Sequence, residues 1–246
     1  MHNHEYDNMA RLEDTHWWYV GMAGIAADWL RRLPGFSPSE RVLDAGCGTG
    51  GACRWLENFG RVYGLDRHPL ALRHAGAKGA QCVVQGDVQA LPFANASFGL
   101  LTSFDVLYHT DVVSDWGALR EFARVLRPGG WLLLRLPAYN WLRGAHDRQV
   151  QTRHRYTNRE VSAKLRSVGL QPVRVTYVNS LLLAPAIIWR LLQQIANSQP
   201  ASDLWLPPRP INRFLKLILR VERAWLRWFN LPAGLGVLAL ARKETP

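Results

Sequence analysis

The residues best placed to do chemistry lie where a short apolar run ends in an acid and then turns through glycines: Val42-Leu43-Asp44-Ala45-Gly46-Cys47-Gly48-Thr49-Gly50. Alternate glycines let the backbone bend tightly and let a ligand approach the main chain, and a following helix offers unpaired N–H groups. That is the chemistry of a nucleotide site. Gly46, Gly48 and Gly51 also fit a GxGxxG spacing, which dinucleotide-binding domains share. Asp44 separates the two cases. A carboxylate beside a pyrophosphate is repelled, whereas beside a sulfonium and an ammonium it attracts, so the expected ligand is S-adenosylmethionine. Two further carboxylates close later apolar runs. Asp66 ends RVYGLD, with Arg67 after it, and can accept both ribose hydroxyl protons; Asp87, followed by Val88, can accept from an adenine amino group. A single Asp after a strand is commonly a helix cap. Three at the ends of successive strands converge on one cofactor.

These positions require a parallel sheet flanked by helices. From residue 41, short apolar runs alternate with longer amphipathic ones. Strands are expected at 41–44, 61–66, 81–87, within 97–106, and at 131–136. Helices follow the glycine turn, start at His68 or Pro69, and run from 114 to 126 before Arg127-Pro128-Gly129-Gly130. A helix over 157–167, ended by Gly169, precedes a strand over 170–178. Residues 180–230 break the pattern and read as two helices around a linker at 199–210, and 234–242 reads as a last strand. The expected organisation is a helical cap segment at 1–38, a cofactor-binding core at 39–179, a helical insert at 180–232 and a final core strand at 233–246.

The totals bound the partners. The 246 residues carry 30 Lys and Arg against 19 Asp and Glu, a formal charge of +11. Anionic partners are therefore favoured: nucleic acid, an acidic membrane surface or a phosphorylated substrate. Cys47, Cys53 and Cys82 form no CxxC pair, which argues against a disulfide framework or a structural zinc and for a reducing compartment. The polar, acidic start is unlike a signal peptide, and the apolar stretch at 178–192 is interrupted by Asn179, Ser180, Pro185 and Arg190. A transmembrane helix needs about 20 apolar residues, so the expectation is a cytoplasmic protein, touching a membrane from one side at most.

The segments VLDAGCGTG, GLDRHP, GDVQALPFANASF and LREFARVLRPGGWLLL together resemble the class I methyltransferases of the "methyltransferase type 11" group, over roughly residues 40–136. The resemblance implies an α/β fold: a doubly wound, seven-stranded Rossmann-like sheet with its last strand antiparallel and a helical cap. It implies S-adenosylmethionine bound over the first two strands and S-adenosylhomocysteine as product. It assigns Gly46, Cys47 and Gly48 to the methionine part, Asp66 to the ribose, and Asp87 with Val88 to the adenine, with Asp44, Gly50, Arg67, Ser103 and Phe104 bordering the same cofactor. Glu13 to Tyr19, which contains His16-Trp17-Trp18, resembles a segment of bacterial methyltransferases linked to lipid or sugar modification. Those carry an arginine pair where this chain has Met22-Ala23. The family's fourth strand starts with Phe-Asp; here it starts Phe98-Gly99.

Methyl transfer is an in-line displacement at a sulfonium carbon, so the protein must align the acceptor and, for a hydroxyl or ammonium, take up a proton. His109, after the fourth strand, titrates near neutral pH and is the first candidate base; a packing or helix-start histidine is its alternative. His154 and Tyr156 are further candidates. They belong to a second cluster, His146-Asp147-Arg148 with His154-Arg155-Tyr156, which suits an acidic substrate or a loop of mutually paired charges. Trp17, Trp18, Tyr108, His146 and Arg155 are the expected acceptor contacts. The spacings match no metal motif. In INRFLKLILRVERAWLRWFN, Phe214, Leu217, Ile218, Val221, Trp225 and Trp228 share one helical face and arginines fill the other. The segment suits an acceptor lid, a membrane interface or a packed cap helix.

The expected function is methylation of an O or N atom of a small, apolar, lipid-linked or secondary-metabolite acceptor, by a monomer or homodimer. A nucleic-acid methyltransferase is the alternative from charge, but no base-flipping motif or nucleic-acid module accompanies it. A non-catalytic cofactor-binding protein would have no use for the three carboxylates, and Asp44 disfavours a nicotinamide oxidoreductase.

Overall fold

The structure is a computed structural model that describes residues 3–37, 39–144, 147, 149–195 and 205–245. Seven strands form one sheet: β1 (Arg41–Ala45), β2 (Arg61–Asp66), β3 (Val83–Gln85), β4 (Phe98–Phe104), β5 (Leu126–Pro137), β6 (Leu170–Val178) and β7 (Gly236–Lys243). Their order is β3-β2-β1-β4-β5-β7-β6. β7 runs antiparallel to both β5 and β6, while β1, β2, β3, β4 and β5 pair in parallel. The doubly wound sheet with a reversed last strand is as the resemblance implied.

Strand residues of β1 and β4 are buried almost throughout, as a sheet covered on both faces requires. Successive side chains take opposite faces. Leu43, Leu101, Leu132 and Leu134 join Phe122 and Leu165 on one side; Val42, Leu100, Trp131 and Leu133 join Ile25, Leu30 and Leu56 on the other. The first side is covered by α5 (Asp115–Val125) and α6 (Asn158–Arg166), the second by α2 (Trp17–Leu30) and α3 (Gly51–Leu56). Local capping fixes where helices begin. Ser114 Oγ accepts from Gly117 N at 2.9 Å to start α5, and Thr157 Oγ1 accepts from Glu160 N at 3.3 Å to start α6.

Two boundaries differ from expectation. β3 is shorter, and β5 begins at Leu126 rather than Trp131, running through the Arg-Pro-Gly-Gly stretch expected to separate helix and strand. The β4–β5 register shifts between Phe98 and Leu100, where residues 127–130 of β5 stand opposite Gly99 alone, an irregularity that takes up the three extra residues. Gly99, where the family carries Asp, is explained there: a Cβ would overlap the Glu40 carboxylate, which is paired with Arg127.

The remaining helices are α1 (Asn3–Leu12), α4 (Pro69–Ala77), α7 (Leu183–Ile195) and α8 (Arg209–Trp225). α8 lies against α2, with Leu219 filling the space over Gly21. Arg223 Nε and Arg227 Nε reach Asp28 Oδ2 at 2.7 and 3.2 Å, and these cations hold its carboxyl down at about 2. Buried Glu222 accepts from the N–H groups of Asn179, Ser180 and Leu181, tying α8 to the approach to α7. Most of the expected 199–210 linker lies outside the described residues.

Candidate active site

The glycine turn after β1 folds onto the end of β2. Gly46 N and Cys47 N both donate to Leu65 O, at 2.7 and 2.9 Å, and Gly48 N donates to Asp66 Oδ2 at 2.9 Å. Gly46, Gly48 and Gly50 have φ of 85°, 53° and 87°, which side chains rarely tolerate. At Gly46 a Cβ would also overlap Val106, from the loop after β4. The turn is thus clamped between the ends of β2 and β4.

Asp66 sits at the end of β2 with Oδ1 accepting from His68 N at 2.9 Å, and burial raises its pKa. Asp87, after β3, accepts from Gln89 N at 2.8 Å beside buried Val88. Asp66, Asp87 and the turn therefore meet on one edge of three adjacent strands. Arg67 is at that edge too, 3.6 Å from Asp111. Asp44 lies beneath it. It is 1% exposed, Oδ1 accepts from Thr102 Oγ1 at 2.7 Å, and Cys53 Sγ is 3.8 Å from Oδ2. Desolvation pushes its pKa up to about 6.

Ser103 and the Cys47 side chain both pack inward. Ser103 is fully buried and donates to Ala45 O at 2.9 Å, so it braces β1 instead of bordering a ligand. The Cys47 side chain packs with Cys53 over Gly64. The absence of a Cβ at Gly64 makes that possible.

Beside the turn, the ends of β4 and β5 meet α2. Arg135 Nε donates to Asp105 Oδ2 at 2.7 Å. The Arg135 guanidinium lies 4.6 Å from the Trp18 ring centroid and 5.1 Å from that of Phe104. Tyr19 and Tyr108 are close enough to Asp105 for its charge, with burial the larger cause, to raise both phenol pKa values. Asp105 itself has φ 58°, a strained backbone held next to Val106 and hence next to the glycine turn.

The base candidates move. Tyr156 is fully buried, and its OH lies 3.0 Å from Asp115 Oδ2 and 3.1 Å from Leu107 O. Burial and that carboxylate raise its pKa, and it is a core residue, not a base. Arg155 is buried in a two-pronged pair with Asp147 and donates to Ala138 O, so it holds a loop rather than an acceptor. His154 has Nε2 2.8 Å from Glu160 Oε1 and Nδ1 3.3 Å from Asn140 Nδ2, which occupies both ring nitrogens. His109 Nδ1 accepts from Asp111 N at 3.3 Å, and burial lowers its pKa. A neutral ring accepting at Nδ1 carries its proton on Nε2 and can only donate there. His16 and His68 do the same for Trp18 N and Leu70 N. His109 thus caps a turn in this structure. Trp17 donates its backbone N–H to Asn212 Oδ1 and so anchors α8. His146 lies outside the described residues.

Sequence reasoning missed Arg135, Met9 and the role of Glu13. Met9 lies over Gly48, and Glu13 accepts from Thr49 Oγ1 at 2.8 Å and pairs with Lys78, so α1 covers the turn. An inward-facing Arg in the otherwise apolar WLLLRLP strand was the available signal for Arg135.

Residues 43–134 match the model of the methyltransferase domain family. A malonyl-[acyl-carrier protein] O-methyltransferase of Pseudescherichia vulneris is 32% identical over 189 residues, 72% of this chain and 70% of that protein. One from Enterobacter lignolyticus is 43% identical over 105 residues, 42% of this chain and 41% of its own length. The match thus spans less than half of that relative. An S-adenosylmethionine-dependent methyltransferase structure from Mesorhizobium loti superposes with a TM-score of 0.58 at 18% identity, over 94% of this chain and 100% of that one. That likeness concerns the fold alone. With a family match over the glycine turn and its carboxylates, and a relative aligned over most of both chains, the chain belongs to the class I S-adenosylmethionine-dependent methyltransferases.

Proposed function

We propose that the chain transfers the methyl group of S-adenosylmethionine to an O or N atom of a small acceptor with an apolar or lipid-linked body. The observation that carries this reading is the Asp105–Arg135 pair, set at the acceptor end of β4 and β5 and walled by Trp18 and Phe104. Aromatic walls accommodate an apolar body, and the ion pair supplies the polar contact that orients the reacting atom.

The residues present fit the cofactor. The turn takes left-handed φ values that glycine alone adopts readily and packs tightly under Val106 and Ala75, Asp66 would take the ribose hydroxyls, and Asp87 with Val88 would take the adenine. Asp44 adds a negative field suited to a cation. The bound cofactor supplies a methyl group on an electrophilic sulfonium. Asp105 orients the acceptor's O–H or N–H and accepts its hydrogen bond; Arg135 holds that carboxylate and presents a donor to any anionic group on the acceptor. Tyr19 and Tyr108 help exclude water. His109 shapes the loop between the two sides.

Incubation with methyl-labelled cofactor and separate pools of lipid extract, nucleic acid and polar metabolites tests the reading. Label is expected in the organic phase. Label confined to nucleic acid would overturn it, and would favour the charge-based alternative.

A further inference from the structure

α8 packs on α2 through Leu219, Arg223 and, just past its end, Leu226, and turns another face to solvent. At 100° per residue, Leu217, Trp228, Val221, Phe214 and Trp225 fall on that outward arc. Phe214 is 62% exposed and Trp228 76%. Soluble monomers rarely leave such a continuous apolar strip uncovered. Along one border run Arg209, Arg213, Lys216, Arg220 and Arg227. Among the described residues no carboxylate pairs with Arg213, Lys216 or Arg220, and Arg32 lies 5.3 Å from the Trp228 ring centroid. Apolar strip, exposed tryptophans and a one-sided row of cations are what a helix lying in a membrane interface requires. Among the described residues, no helix is long and apolar enough to cross a membrane.

We propose that this face of α8 docks on an anionic lipid bilayer, with Phe214, Val221, Trp225 and Trp228 entering the headgroup boundary and the adjoining arginines contacting lipid phosphates. The charge decides the occupant. A second copy of this chain would bring the same row of cations against itself or an equally basic surface, whereas anionic headgroups complement it. The docking also has a functional position. Asn212, in the first turn of α8, bonds Trp17 N at 2.9 Å and Thr15 O at 3.0 Å, and the next residues of α2 are Trp18 and Tyr19 on the acceptor side. A docked α8 would bring the acceptor side close to the bilayer surface.

Flotation of the full chain with vesicles of phosphatidylcholine alone, or with phosphatidylglycerol added, tests this without any methyl acceptor, so its outcome is separate from that of the acceptor reading. Flotation is expected only with phosphatidylglycerol, weakening as salt rises, with a blue shift of tryptophan emission. Arg213→Glu and Arg220→Glu should each weaken it roughly fivefold or more. Phe214→Ser and Trp228→Ser should remove the emission shift while circular dichroism and the thermal transition stay unchanged, since both side chains are exposed. Absence of flotation with either vesicle would overturn the proposal. So would flotation insensitive to all four variants, or a stable dimer in sedimentation that Phe214→Asp dissolves.

Discussion

Along the β1, β2 and β3 half of the carboxyl edge, the groups that would face the proposed cofactor are main chain and two short carboxylates, each placed by its own strand end. Along the β4 and β5 half, the facing groups are long side chains from distant parts of the chain, with Trp18 of α2 lying on Arg135 of β5 and Asp105 paired to it across the sheet. The first half works through backbone geometry, so it tolerates few substitutions but leaves a recurrent pattern. The second works through side-chain pairs, so it can be re-cut for a new acceptor without disturbing the turn. If so, substitutions on the two halves should separate cofactor binding from acceptor use.

The largest effect is expected at Gly46. Gly46→Val would place a β-branched side chain at φ 85° and against Val106. It should cost on the order of 3 kcal/mol or more of stability and abolish cofactor binding, read by thermal denaturation and calorimetry. A cofactor affinity within threefold of wild type would remove the turn from the site. Asp66→Ala comes next. Loss of its charge-assisted hydrogen bonds should weaken cofactor binding by roughly 1–3 kcal/mol, with a smaller stability loss from the unpaired Gly48 N–H. Competition with NAD belongs in the same titration, and tighter binding of NAD would contradict the role of Asp44.

Asp44→Asn should act in opposite directions on the two properties. The folded-state pKa of Asp44, about 6, lies above its ordinary value. Its contribution to stability is therefore fully present below the unfolded value near 4 and lost as pH rises through about 6. At pH 7 the buried charge costs up to about 3 kcal/mol, and the amide should recover about 1–2 of it, since Thr102 can still donate to the remaining oxygen. Cofactor affinity should fall at the same time, and in the wild type it should fall as pH drops below about 6. Denaturant titrations and calorimetry at pH 5 and 7 check both signs; a less stable Asn variant at pH 7 would mean the ionised carboxylate stabilises the fold.

The smallest effect on the cofactor should come from the other half. Arg135→Gln is expected to leave cofactor affinity within about twofold, because Arg135 acts on the acceptor side, while acceptor turnover drops at least tenfold. An equal loss in both would merge the two halves into one site.

The sequence by itself determined the alternation of strands and helices and the glycine turn with its carboxylates, and the family resemblance added the reversed last strand. Strand period, glycine spacing and a terminal carboxylate are local features, and each acts through its own few residues. Only the tertiary structure decided which polar side chains face a ligand. Ser103, Tyr156 and Arg155 look like site residues in the linear order, but packing turns them to Ala45 O, Asp115 and Asp147. His109 looks like a base until its Nδ1 is seen capping a turn. Arg135 looks like one more strand residue until Asp105 and Trp18 are placed beside it. The apolar face of α8 was legible as a face, but its exposure was not, because only the pairing of the opposite side with α2 shows which arc remains for another partner. Period fixes what a helix can bury; contacts between distant segments fix what it does bury.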